Sequence, residues 1–155
     1  ECIIFDFDGV LTDNCVWTNS IGEEWARSSR SDGLAFSVLK QLSCKVWIMS
    51  TEANDVVLAR GKKLGIPVLN GLVNKQQALL KVSREESIDL SKTIYIGNDL
   101  NDYHAMLLTG LKVCPSDSHY RIKSIADLVL DSKGGDGIVR ELLETHFNIE
   151  FLNYL

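Results

Sequence analysis

From residue 2 to residue 147 short apolar runs alternate with stretches of helical period, and no other feature restricts the architecture as strongly. The runs Cys2–Phe5, Lys45–Met49, Pro67–Leu69, Thr93–Ile96, Lys112–Cys114 and Leu128–Leu130 read as strands. Helices are predicted over Leu34–Leu42, Val56–Leu64, Lys75–Glu86, Asp102–Leu108, Arg121–Ile125 and Ile138–Phe147. A strand that returns through a helix lands parallel to its predecessor, so the alternation predicts an α/β chain with a parallel sheet covered by helices on both faces. Gly65 and Gly110 follow predicted helices, where a left-handed cap is expected. At 155 residues without a break in composition, the chain is expected to form one domain over residues 1–155.

One segment breaks the rhythm. Cys15–Thr18 and Glu24–Ala26 flank the turn-like Asn19-Ser20-Ile21-Gly22, which predicts a β-hairpin inserted at about residues 14–28, with Trp17 and Trp25 able to pair across it. An isolated two-stranded hairpin is marginal in water, so it must pack on the body or on another subunit. A net charge of −5 with no basic stripe argues against a nucleic-acid surface. No apolar run reaches membrane-spanning length and no signal-like start is visible, so no membrane partner is expected. Cys2, Cys15, Cys44 and Cys114 show no metal-ligand spacing, which suits a reducing cytoplasm. The strand begins at once after Glu1, which suggests a domain taken from a longer polypeptide.

In parallel α/β sheets ligands bind beyond the carboxyl ends of the strands, a rule that selects Asp6, Asp8, Ser50 and the Asn98/Asp99 turn. The first of these is the most informative. Ile3-Ile4-Phe5-Asp6-Phe7-Asp8-Gly9 is a buried-type strand released into two carboxylates, and mutually repelling charges are clustered at such a place when a cation or substrate offsets them. Asp-x-Asp-Gly-x-x-Thr-Asp after a strand resembles the first motif of the haloacid dehalogenase superfamily, whose phosphatases form an aspartyl-phosphate and share a Rossmann-like fold. The resemblance implies Asp6 as nucleophile and Asp8 as general acid and base. It implies Ser50 as a hydrogen-bond donor to the phosphoryl group, and Lys75 as a fixed positive charge. Gly97-Asn98-Asp99 is then the metal-binding turn, where Asp6, the backbone carbonyl of Asp8, Asn98 and Asp99 offer the hard oxygen ligands that suit Mg²⁺. Asp102 lies where it would cap the following helix, or stand as a further metal ligand.

The ordered motifs, the hairpin, Arg30-Ser31-Asp32-Gly33 and Gly134-Gly135-Asp136-Gly137 together resemble the capless 3-deoxy-D-manno-octulosonate 8-phosphate phosphatase family, from Ile3 to about Phe147. That family includes relatives acting on sialic-acid-type nonulosonate 9-phosphates and phosphatase-like domains of CMP-acylneuraminate synthetases. The resemblance implies a phosphorylated sugar acid as substrate, no large cap domain, and a homotetramer in which hairpins meet and a neighbouring subunit helps close each site. A tetramerising domain attached to a CMP-sugar synthetase is the nonenzymatic alternative.

Three departures bear on specificity. The metal turn commonly reads Gly-Asp-Asp in the family, and Asn98 stands in the middle position here. The loop Ser50-Thr51-Glu52-Ala53-Asn54 replaces the Gly-Arg-Lys that typically follows the hydroxyl residue of octulosonate enzymes, and Asp136 stands where they often carry Arg. Glu52 and Lys63 instead match the nonulosonate relatives, so a nonulosonate 9-phosphate is the expected substrate, with octulosonate 8-phosphate as the alternative. Thr51, Glu52, Lys63, Gly134, Gly135 and Asp136 are the candidate substrate contacts, the glycines through exposed amides. His104, His119 and His146 are scattered and carry no catalytic expectation.

Overall fold

The computed structural model describes residues 2–155. Six parallel strands form the sheet: β1 (Cys2–Asp6), β4 (Lys45–Met49), β5 (Val68–Leu69), β6 (Thr93–Ile96), β7 (Leu111–Cys114) and β8 (Leu128–Val129). Their order is β5-β4-β1-β6-β7-β8, which places β1 between β4 and β6. The hairpin strands β2 (Thr12–Thr18) and β3 (Glu24–Ser28) make a separate antiparallel pair with Trp17 opposite Trp25.

Side-chain parity along β1 divides the interior in two. Ile3 and Phe5 join the core formed with α1 (Arg30–Gln41), α2 (Asp55–Leu64) and α6 (Ile138–Glu141). Cys2 and Ile4 join the opposite core, with α3 (Lys75–Glu85), α4 (Tyr103–Met106) and α5 (Tyr120–Ile125). Asp6 has the parity of Ile4. Its carboxylate therefore emerges toward the layer that carries Lys75 and Asp102, and this places the chemistry.

Several boundaries differ from the sequence expectation, each for a local reason. Helix α1 starts at Arg30 because the Ser29 side chain accepts from the Ser31 amide, although Ser31, Asp32 and Gly33 look like turn residues in isolation. The last predicted helix is α-helical only to Glu141 and continues as a π-turn over Leu142–His146. Gly65 adopts the expected left-handed cap at φ +66°. Gly110 does not adopt positive φ; it is required by close approach, since a Cβ there would stand 1.9 Å from the Ser91 carbonyl oxygen. A 3₁₀ turn over Phe151–Tyr154, not foreseen, buries Phe151 against the α1 core.

The hairpin turn is closed by Asn19, whose Oδ1 accepts from the Ile21 and Glu23 amides. Its aromatic rings are not covered by the body: Trp17 is 71% exposed and Trp25 56%. At its base Arg27 pairs with Asp136 at 2.6 Å and with Asp13 at 3.5 Å. Among the described residues no helix is long and apolar enough to cross a membrane.

Candidate active site

The carboxyl ends of β1, β4 and β6 bring Asp6, Asp8, Ser50, Asn98 and Asp99 together, as their positions after strands implied. Asp6 is 3% exposed, at the floor of a cleft of about 140 Å³ whose walls include Asp8, Thr51, Glu52, Asn98 and Asp99. Its Oδ1 accepts from the Phe7 amide at 2.7 Å and lies 2.5 Å from Lys75 Nζ, which leaves Oδ2 for chemistry.

Lys75 opens α3, whose first turn is capped by Asn74 through the Gln77 amide. Its ammonium is fully buried and bridges Asp6 to Asp102, 2.8 Å away. Rather than projecting into the cleft, Lys75 holds Asp6 from behind. Burial disfavours the ammonium, but the charges of Asp6 and Asp102 outweigh burial and raise its pKa, so it stays protonated.

Asp102 does not cap α4; its side chain makes no helix-cap hydrogen bond. It turns back instead. Oδ1 accepts from Lys75 Nζ and from Tyr95 Oη at 2.9 Å, while Oδ2 accepts from the amides of Asn98 at 3.0 Å and Asp99 at 3.4 Å. With both oxygens engaged, Asp102 shapes the Asn98/Asp99 turn. Sequence spacing missed this role, although the inward parity of Tyr95 on β6 marked a polar group in need of a buried partner.

One ammonium faces two buried carboxylates, so the site is short of positive charge. Burial and the charge of Asp102 push Asp6 well above the usual carboxylate range, and Lys75 only partly reverses this. Asn98 lines the cleft, and its Oδ1 is buried with no hydrogen-bond partner. An unpaired buried acceptor costs about 1–3 kcal/mol, and a cation is the partner that would satisfy it beside Asp6 and Asp99. No group of three His, Cys, Asp or Glu side chains gathers as a metal site among the described residues. The oxygen donors that line the cleft, the Asp6 and Asp99 carboxylates and the Asn98 carboxamide, are of the chemistry that fits a hard cation such as Mg²⁺.

Asp8 is partly buried, and burial followed by the charge of Glu52 raises its pKa, against a smaller opposing effect of the Ser50 hydroxyl. A raised carboxyl suits a group that must give and then take a proton near neutral pH. Ser50, 1% exposed, donates to Asp8 Oδ2 at 3.4 Å and accepts from the Glu52 amide at 3.0 Å. Thr51 Oγ1 accepts from Asn101 Nδ2 at 3.4 Å, and the Glu52 side chain stands exposed at the cleft mouth.

Four of the candidate substrate contacts, Lys63, Gly134, Gly135 and Asp136, lie outside the cleft lining. Lys63 is exposed in the last turn of α2 and does not line the cleft; eight residues of helix beyond Asp55 carry it about 12 Å along the axis. The expected anion-binding amides are already engaged: Gly134 donates to Asp117 Oδ1 at 3.0 Å and Gly135 to the Val10 carbonyl at 3.0 Å. This loop buttresses the first motif from behind, since a Cβ on Gly134 would meet the Gly9 carbonyl oxygen at 2.1 Å. Asp136 faces Arg27 of the hairpin.

The profile of the haloacid dehalogenase-like hydrolase family matches residues 37–142. A 3-deoxy-D-manno-octulosonate 8-phosphate phosphatase of Haemophilus influenzae is 29% identical over 141 residues, covering 90% of this chain and 78% of the enzyme. An N-acylneuraminate cytidylyltransferase of Danio rerio is 26% identical over 92% of this chain, which spans only 34% of that protein. A solved octulosonate 8-phosphate phosphatase of Moraxella catarrhalis, described in complex with magnesium, phosphate and 3-deoxy-octulosonate, superposes with a TM-score of 0.90 at 30% identity. The match covers 95% of this chain and 85% of that one. The chain belongs to the haloacid dehalogenase-like hydrolases. Within that class it is a phosphoric monoester hydrolase.

Proposed function

We propose that this chain is a Mg²⁺-dependent phosphatase of a 2-keto-3-deoxy sugar acid, with octulosonate 8-phosphate as its substrate, acting through an aspartyl-phosphate on Asp6. The observation that carries the chemistry is the buried Asp6–Lys75–Asp102 triad beneath a cleft lined by Asp8 and by Asn98, whose side-chain oxygen is buried and unpaired. Asp6 Oδ2 attacks phosphorus while Lys75 fixes Oδ1, and Asp8 delivers its proton to the departing sugar oxygen. Asp8, now a base, takes a proton from the water that hydrolyses the acyl phosphate. Mg²⁺ bound by Asp6, Asn98, Asp99 and the Asp8 carbonyl would supply positive charge against the phosphoryl oxygens. Ser50, held between Asp8 and the Glu52 amide, keeps the acid/base carboxyl in place.

The octulosonate assignment replaces the nonulosonate preference expected from the sequence, because the phosphatases that match 90–95% of this chain are named for octulosonate 8-phosphate. Glu52 at the mouth is the feature that favours the nonulosonate reading. Phosphate release from both esters, with EDTA and with Mg²⁺ restored, tests the assignment. Release from octulosonate 8-phosphate that requires the metal is expected, and a higher kcat/KM on the nonulosonate ester would reverse the choice. The exposed hairpin tryptophans support a homotetramer, and the match to the cytidylyltransferase supports work beside a CMP-sugar synthetase as a second setting.

A further inference from the structure

Asn14 is an exposed residue at the rim of the cleft, and nothing in the reaction described above uses it. It lies in a bulge of the hairpin: Thr12 pairs with Ser28 and Val16 with Ala26, so β2 carries more residues than β3 between the same rungs. Bulges beside active sites re-aim side chains. Asn14 has φ +61°, a conformation that L-residues avoid and that asparagine tolerates better than most.

The backbone alone does not account for its placement. The side chain folds over the first-motif loop, with Cγ 3.2 Å from the point where a Gly9 Cβ would stand, a point Asn98 Nδ2 approaches from the metal turn. Asn14 thus flanks the same loop as a candidate metal ligand. The Asn14 amide donates to Thr12 Oγ1, but among the described residues no hydrogen bond engages the carboxamide.

We infer that Asn14 is a specificity-determining residue whose carboxamide binds hydroxyls of the polyol leaving group beside the phosphorylated carbon. The inference rests on the phosphatase reading and deepens it. With Asp6 at the floor, the ester oxygen of a substrate in attack position points toward the rim, so the carbons next to it pass the rim side chains. Glu52 and Asp99 in that ring are acidic and oppose an anionic sugar acid. A neutral carboxamide both donates and accepts, which matches a hydroxyl without adding repulsion.

Asn14→Gly separates the two explanations of this residue, because glycine adopts the same φ without strain and lacks only the carboxamide. Release of phosphate from octulosonate 8-phosphate and from p-nitrophenyl phosphate is measured for both proteins, with melting temperature as the control for folding. The expected result is a fall of about tenfold in kcat/KM on the sugar ester, mostly in KM, with the aryl ester within about twofold and melting unchanged or raised. An unchanged kcat/KM on the sugar ester, or an equal fall on both, overturns the assignment while leaving the phosphatase reading intact. A native chain that releases phosphate from neither ester overturns the phosphatase reading, and this inference with it.

Discussion

At the scale of single residues the site is organised by what each carboxylate oxygen touches. Asp6 has one oxygen tied to Lys75 and the Phe7 amide and one free. Asp102 has both tied, and so is structural. We therefore expect Asp6→Asn to lose about 10³-fold or more in phosphate release, since an amide cannot form the acyl phosphate, while circular dichroism stays native. Release within tenfold of the native rate would falsify the nucleophile assignment. The positions of Asp6 and Asp8 were legible because a buried strand ending in two charges has few other uses. The role of Asp102 was not: a carboxylate before a helix reads as a cap, and only the fold shows it turned back toward Lys75, 27 positions earlier.

At the scale of elements, Asp32 joins α1 to α6. It is 2% exposed, its Oδ1 accepts from the Val139 amide at 2.9 Å and the Arg140 amide at 3.3 Å, and its Oδ2 has no partner. Burial raises its pKa to about 6, against the lowering effects of those amides and of Arg60. Because the folded state holds this proton more tightly than the unfolded chain, the group's contribution is greatest below about pH 4 and is lost as pH rises through about 6. The shift corresponds to about 3 kcal/mol. Urea unfolding of the native chain and Asp32→Asn from pH 4 to 7 should show the variant gaining about that much relative stability toward neutral pH. Parallel stability curves would remove the claim. The same comparison of elements shows what local sequence hides. Gly134 and Gly135 look like free amides in a turn, but the partners that occupy them, Asp117 and Val10, are distant in the chain.

At the scale of the whole molecule the hairpin is the part the domain does not complete. Val16, Trp17, Ile21 and Trp25 are each more than half exposed on one small two-stranded unit, a concentration of apolar surface that favours association. A tetramer is expected by light scattering at micromolar concentration, and Trp17→Ala with Trp25→Ala is expected to reduce it to smaller species. A native monomer under those conditions would overturn the assembly. The alternation of strands and helices, the inserted hairpin with its Trp pair, and the carboxylates at the end of β1 follow from sequence alone, because periodicity and strand ends are local properties of the chain. What only the tertiary structure decided is which distant groups share a charge or a hydrogen bond: Lys75 between Asp6 and Asp102, the unpaired Asn98 oxygen, Lys63 outside the cleft, and Asn14 at its rim. Those depend on how loops from separate strands converge, and no local pattern encodes that geometry.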